Sequence, residues 1–267
     1  MIYLDNNATT RPSVAAVESV HRALTEFWHN PSSVHRPGQA ARQQVELARK
    51  EAAALINANP RDIVFTSGGT ESIDLAIRSA LGAAPGAAPS VVSSRVEHAA
   101  VRDLLEDLDK RRAISIRWAP VLRDGTIDLE SLPPLLEGAA LAVFQWANNE
   151  TGTVQPVQQI AEACRAASRP VRFHCDAVQW IGKEPADVTP GFFDSLTFSP
   201  HKFHGPKGVG VLWTRRGLGI APMLHGTQEL GRRGGTENVP GILGAGVACR
   251  EARERLAARM GRLLEVL

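Results

Sequence analysis

The chain has 267 residues, a formal net charge of +2, 43% hydrophobic and 22% charged residues; with no basic stripe and no run of about 18 apolar residues, a nucleic-acid-binding or membrane-spanning protein is not expected. The N-terminus, Met1 to Asn7, lacks the basic and apolar regions of a signal peptide. Three scattered cysteines, Cys164, Cys175 and Cys249, form neither a disulfide framework nor a metal-ligand pattern, so no metal and a reducing, cytoplasmic setting are expected.

In chain order, residues 14–28 and 39–57 read as amphipathic helices. A short strand, Ile63 to Thr66, runs into Ser67-Gly68-Gly69-Thr70-Glu71 and a helix through about residue 81. Gly82 to Pro89 is an Ala/Pro/Gly connector. A strand at Val91–Ser93 precedes a helix over 98–111, and strands follow at Ile114–Trp118, Leu141–Trp146, Val171–Phe173, Ser195–Phe198 and Val209–Trp213. Helical patterns over 128–137 and 156–167 lie between some of them. Alternating strands and helices predict an α/β fold with a mostly parallel sheet flanked by helices. The close pair at 195–198 and 209–213 is a candidate antiparallel neighbour pair. From Gly241 the pattern is one long helix with an apolar stripe of Val247, Leu256, Met260, Leu263, Leu264 and Leu267. That stripe has no evident packing partner and no stop signal, so a longer chain and an aggregation risk are expected.

In an open α/β sheet, ligands bind at the C-terminal ends of the strands, and polar groups recur there. Ser67-Gly68-Gly69-Thr70 offers backbone N–H groups and a hydroxyl for a phosphate; the alternative is a plain N-cap turn. His98 can stack on a flat heteroaromatic ring or cap the next helix. Asn148 and Asn149 can bond a phenolic oxygen or form an Asx turn. Asp176 can hold a protonated pyridine nitrogen, with Gln179 three residues on, or cap a turn. Lys202 closes Ser199-Pro200-His201-Lys202 among small residues, in a chain with five lysines against twenty-five arginines. An amine there suits a Schiff base with an aldehyde cofactor. Each feature alone fits the structural alternative. In this order, at successive strand ends, they are what pyridoxal 5′-phosphate (PLP) requires.

These segments, with Tyr3-Leu4-Asp5-Asn6-Asn7-Ala8-Thr9-Thr10, Asn30-Pro31-Ser32-Ser33-Val34-His35 and Arg233-Gly234-Gly235-Thr236-Glu237-Asn238, resemble the class V aminotransferase superfamily, and more narrowly the cysteine desulfurases. The resemblance runs from residue 2 to the end. It implies a fold-type-I, PLP-dependent transferase large domain over 14–240, an N-terminal arm over 1–13, and the start of an interdomain helix and small domain over 241–267. Lys202 would carry PLP and act as general base. Gly69, Thr70, Ser199 and His201 would bind its phosphate, His98 would stack on the ring, and Asp176 would pair with the ring nitrogen. Asn149 and Gln179 would contact the ring oxygen O3′. Thr236 would reach the phosphate of a neighbouring subunit, implying a homodimer with shared sites. Asn7, Ala8 and Thr9 would lie near the substrate.

The implied reaction takes sulfur from L-cysteine, giving alanine and an enzyme persulfide for a sulfur acceptor or scaffold protein in iron–sulfur cluster assembly or tRNA thiolation. None of the three cysteines matches the family nucleophile's position; all three are expected to be packing residues. The substrate-carboxylate arginine of the family's C-terminal part has no counterpart either. The chain is therefore expected to be an N-terminal portion that binds PLP without completing sulfur transfer. A selenocysteine lyase, another class V aminotransferase, or a catalytically inactive PLP-binding and dimerising protein are the alternatives.

Overall fold

The computed structural model describes residues 2–83 and 88–266, with side chains described as far as Ala258. Residues 84–87 of the expected connector, and the side chains of Met260, Leu263, Leu264 and Leu267, lie outside the described residues.

Helix α1 (Val14–Thr25) starts where the Ser13 hydroxyl accepts from the Ala16 N–H at 3.1 Å. It stops short of the expected residue 28, and the chain passes through a loop to Asn30-Pro31, since the residue before a proline is held out of the helical region. Helix α2 (Arg36–Leu55) begins earlier than its periodicity suggested. His35 Nδ1 accepts from the Gly38 N–H at 3.2 Å, and a proline occupies the first turn, where no N–H is needed.

The remaining elements are β1 (Ile63–Thr66), α3 (Gly69–Gly82), β2 (Ser90–Ser94), α4 (Ala99–Lys110), β3 (Ser115–Ala119), α5 (Leu132–Leu136), β4 (Ala139–Gln145), α6 (Val157–Ala166), β5 (Arg172–Asp176), β6 (Ser195–Phe198), β7 (Gly210–Thr214) and α7 (Val239–Val266). The expected helix over 128–137 shortens to α5, because Pro133 and Pro134 permit a first helical turn but supply no N–H to extend it.

Among the described residues the strands form one seven-stranded sheet in the order β1-β7-β6-β5-β4-β2-β3. Strand β7 runs antiparallel to both neighbours, and every other pair is parallel. The expected α/β fold and the antiparallel β6–β7 pair are both present.

Alternation along the strands divides the core. Val91, Leu141 and Val143 pack with Ile73, Ile77, Val101 and Leu105 of α3 and α4. Val92, Ala142, Phe144, Phe173 and Phe198 face a larger cluster with Val45, Ala52, Ile160 and Cys164 of α2 and α6. Helix α7 joins that second layer. Val239, Ile242, Ala245, Ala248, Cys249 and Ala252 are buried there, with Leu256 packed at the margin. The helix is thus covered along a face other than the expected stripe, of which Val247 and Leu256 are half-buried and the other four side chains lie outside the described residues. The packed stripe is richer in alanine than the one periodicity picked out, because Gly246 and Ala48 let α7 approach α2 closely.

Candidate active site

Every strand except β7 directs its C-terminal end to one edge, so the loops carrying the candidate residues meet there. They border a cleft of about 230 Å³. After β1 come Gly69 and Thr70, in the first turn of α3. After β2 comes His98, after β4 Asn149, after β5 Asp176 and Gln179, and after β6 Ser199, His201 and Lys202, all lining the cleft.

The α3 end is shaped by glycine. A Cβ at Gly210, the first residue of β7, would fall on the Gly68 carbonyl, so the loop seats against β7 only without a side chain there. A Cβ at Gly69 would press Val178 Cγ2 at 3.2 Å and approach Ser199 Cβ at 3.8 Å. This side-chain-free cradle at a helix start, beside the Ser199 hydroxyl and the His201 imidazole, suits an anion such as phosphate. Ser199 is buried and donates to the Val209 carbonyl at 3.1 Å. His201 Nδ1 pairs with Thr9 Oγ1 at 3.0 Å. Burial, with Lys202 and Lys207 nearby, pushes the His201 pKa down to about 4, so the ring is neutral at pH 7.

At the other end, the β5 strand terminates in Asp176, 6% exposed, whose Oδ1 accepts from the Val178 N–H at 3.0 Å. Burial raises its pKa, while that hydrogen bond and the charges of His98 and Lys202 pull the other way. A cationic ring nitrogen is the partner that would compensate such a buried carboxylate. His98 both caps α4, its Nδ1 accepting from the Ala100 N–H at 3.1 Å, and lines the cleft. Asn148 forms the Asx turn, its Oδ1 accepting from the Glu150 and Thr151 N–H groups at 2.8 and 2.9 Å. Asn149 is the one that borders the cleft.

Lys202 sits on a short turn, Pro200–Lys202. Burial lowers its pKa, opposed by Asp176 and Asp5. Its ammonium donates to the Asn7 carbonyl at 2.7 Å and the Ala8 carbonyl at 2.9 Å, so the N-terminal arm lies directly over it. The Thr10 hydroxyl donates to the His201 carbonyl at 2.9 Å and fixes the arm's far end. The donor set thus fits PLP: an anion cradle, a buried acid and an amine of reduced pKa around one cleft.

Thr236 is not brought to this cleft. It lines a separate depression with Phe65, Ser67, Glu229 and Arg233, and is exposed. Its loop is anchored by Glu229, whose carboxylate takes a bidentate pair from Arg49 at 2.7 and 2.8 Å and the Phe65 N–H at 3.0 Å.

Sequence reading passed over two residues. Glu97 immediately precedes His98 but was given no role. It is 3% exposed, with its oxygens accepting from the Ser94 hydroxyl and the Gln145 N–H, both at 2.7 Å. Its hydrogen-bond partner Gln145 stands opposite Asp176 in the register of β4 and β5. Burial raises the Glu97 pKa to about 8, and the Asp176 charge adds to the rise. Lys183 is the other, four residues beyond Gln179 and bonded to it at 2.6 Å; that spacing was the available signal.

The three cysteines are buried and lie outside the cleft. Burial pushes the Cys164 thiol up to about 12, and raises those of Cys175 and Cys249 as well. Among the described residues no helix is long and apolar enough to cross a membrane, and no group of His, Cys, Asp or Glu is placed to hold a metal ion.

An α/β sheet that gathers a lysine, a buried acid and an anion cradle at its strand ends has the layout of a PLP-dependent transferase large domain. The family model for class V aminotransferases matches residues 2–259, and the chain belongs to that family. A cysteine desulfurase of Cereibacter sphaeroides is 46% identical over 250 residues, covering 92% of this chain and 64% of the relative. The chain therefore spans just under two thirds of that curated relative's length. Among solved structures, a NifS-like protein superposes with a TM-score of 0.92 at 37% identity, covering 96% of this chain and 71% of that one. SspA in complex with cysteine matches with a TM-score of 0.88 at 32% identity, over 93% of this chain and 72% of that one.

Proposed function

We propose that this chain provides the cofactor-binding part of a PLP-dependent cysteine desulfurase, acting on L-cysteine. The observation that carries the reading is Lys202, an amine of lowered pKa in a cleft that also holds the buried Asp176 and the Gly69–Thr70 cradle. The desulfurase relatives and the cysteine-bound SspA structure support the substrate class.

When bound, the cofactor supplies an aldehyde for amines and a ring that takes up electrons. Gly69, Thr70, Ser199 and His201 would hold its phosphate, and Asp176 would keep its ring nitrogen protonated. His98 flanks the ring, and Asn149 and Gln179 bond its oxygen. Lys202 would hold the cofactor, and its amine is the group placed to move the proton of the substrate α-carbon. The arm residues Asn7, Ala8 and Thr9 border the substrate.

Sulfur transfer needs a thiolate that attacks the substrate sulfur. The C–S bond breaks, an S–S bond forms as a persulfide, and the carbon skeleton leaves as alanine. The buried, raised thiols of Cys164, Cys175 and Cys249 do not serve that step, so the thiol comes from another segment or subunit. Thr236, exposed and away from its own cleft, serves a second copy's phosphate in a homodimer. A sulfur-acceptor or scaffold protein receives the persulfide sulfur.

The test is absorption spectroscopy with added PLP, then borohydride reduction and mapping of the adduct. A visible band with the adduct on Lys202, lost in Lys202→Ala, is expected. An unchanged band in Lys202→Ala sinks the reading.

A further inference from the structure

Lys183 lies on the turn that follows β5, in the same helical-type turn as Gln179. The Ile181 N–H donates to the Ala177 carbonyl at 3.0 Å, and the Lys183 and Glu184 N–H groups to the Trp180 carbonyl at 3.1 Å. Gly182 makes the turn possible: its φ is +80°, and a Cβ there would collide with the Phe203 ring. Lys183 is thereby directed back toward the cleft. Its ammonium donates to Gln179 Oε1 at 2.6 Å and to Asn7 Oδ1 at 3.3 Å.

A side-chain amide has a donor end and an acceptor end of nearly the same shape, so its orientation is set by its partners. A cation at the oxygen settles the matter, because a charge-assisted bond is stronger than a neutral one and an ammonium has no acceptor to offer the flipped amide. The Gln179 NH2 is then left to donate, and here it donates to the Asn7 carbonyl at 2.9 Å. Asn7 Nδ2 in turn donates to the Asn149 carbonyl at 3.2 Å, and Lys202 donates to that same Asn7 carbonyl. One arm residue is therefore joined to four residues of the site's rim and floor, two of the links depending on Lys183 directly or through Gln179.

We propose that Lys183 is a positioning residue of this site: it turns the Gln179 amide so that its NH2, the end a ring oxygen of the cofactor would require, is left to donate, here to the Asn7 carbonyl, and it fastens the N-terminal arm over Lys202 through Asn7. The assignment rests on the reading of Lys202 as the cofactor lysine. Burial and the Lys202 charge lower the Lys183 pKa, in keeping with a second cation held close to the first.

The experiment compares the chain with Lys183→Met and Lys183→Arg. Hydrogen exchange of the arm amides is read without cofactor, and PLP affinity and the pH midpoint of the visible band are read with it. Lys183→Met is expected to raise exchange at residues 7–10 about tenfold and to weaken PLP about tenfold. It also moves the pH midpoint upward, since a cation beside the lysine–cofactor linkage is gone. Lys183→Arg, which keeps the charge, recovers most of each loss. A merely structural lysine would move the thermal midpoint but not the pH midpoint. Unchanged exchange, affinity and midpoint in Lys183→Met overturn the proposal while an adduct on Lys202 leaves the cofactor reading intact. An adduct trapped on Lys183 overturns both.

Discussion

Arg233 clasps Glu71 across the molecule, its Nε 2.8 Å from Oε1 and its Nη2 3.3 Å from Oε2. Glu71 lies in the first turn of α3, beside the anion cradle, and also accepts from the Ser67 N–H at 2.8 Å. The loop that presents Thr236 and the helix start that forms the cradle thus share one anchor. Burial alone would raise the Glu71 pKa, but Arg233 and Ser67 outweigh it and hold the carboxyl below its ordinary 4.5. A depressed acid contributes stability above its unfolded pKa and loses it as pH falls. Glu71→Gln is therefore expected to cost about 1–2 kcal/mol at pH 7, a difference that shrinks progressively as pH falls below the ordinary 4.5. Urea unfolding across that range measures it, and a pH-independent difference would exclude the ionic role.

Glu97 works in the opposite sense. Its pKa in the fold is about 8 against 4.5 for the free side chain. Between those values the unfolded chain has released its proton and the fold retains it, so stability declines as pH rises. At about 1.4 kcal/mol per pKa unit, the ceiling of that loss is about 5 kcal/mol, approached near pH 8. In Glu97→Gln the amide oxygen still accepts from the Gln145 N–H, and the Ser94 hydroxyl can accept from the new NH2. The variant is expected to melt above the parent at pH 8 and to match it near pH 5. Equal melting at both would show that the acid is ionised in the fold.

The Arg49–Glu229 pair is buried, at 8% and 2% side-chain exposure. Glu229 and Leu230 both hold left-handed φ values, 50° and 59°, so the loop is bent against its preference and needs an anchor. Removing Glu229 leaves the buried Arg49 with only the half-exposed Glu46 at 3.2 Å as an ionic partner and the Phe65 N–H without its acceptor, and Glu229→Ala is expected to cost about 3–5 kcal/mol. The double change Arg49→Met with Glu229→Met removes both charges and is expected to cost less than Glu229→Ala. Denaturant midpoints decide, and a double variant worse than the single one would contradict the account.

Thiol chemistry offers a direct check on the cysteines. All three are buried with raised pKa values, and the thiolate is the reactive form. A disulfide reagent is expected to find no fast-reacting thiol in the folded chain and three after denaturation. One thiol titrating rapidly in the native protein would reopen the question of an internal sulfur carrier.

Local pattern carried much of the architecture. Strands β1 and β6 fall on their expected residues, because short apolar runs bounded by turn residues have few other places to go. The cleft was legible too, since successive strand ends of a parallel sheet must converge. His98 and Asp176 were each read as either cap or ligand, and both make the capping bond while bordering the cleft. Lys183 escaped notice because its partner Asn7 lies 176 residues away. Glu97 escaped because acidity in a motif says nothing of burial. The packed stripe of α7 was misjudged since alanines carry little hydrophobic signal but allow helices to approach.

The reversed strand has a consequence for how the molecule assembles. Strand β1, at the sheet's edge, pairs among the described residues only with β7, Phe65 opposite Val211. β1 is formed early in the chain but finds its neighbour only after the strands in between have been laid down, and such distant pairing is slow. The cradle between β1 and α3 leans on that same late strand through Gly68 and Gly210. During synthesis, then, the anion cradle should be among the last parts to acquire its shape, and a nascent chain halted before Gly210 would carry most of the candidate residues without a pocket to hold them.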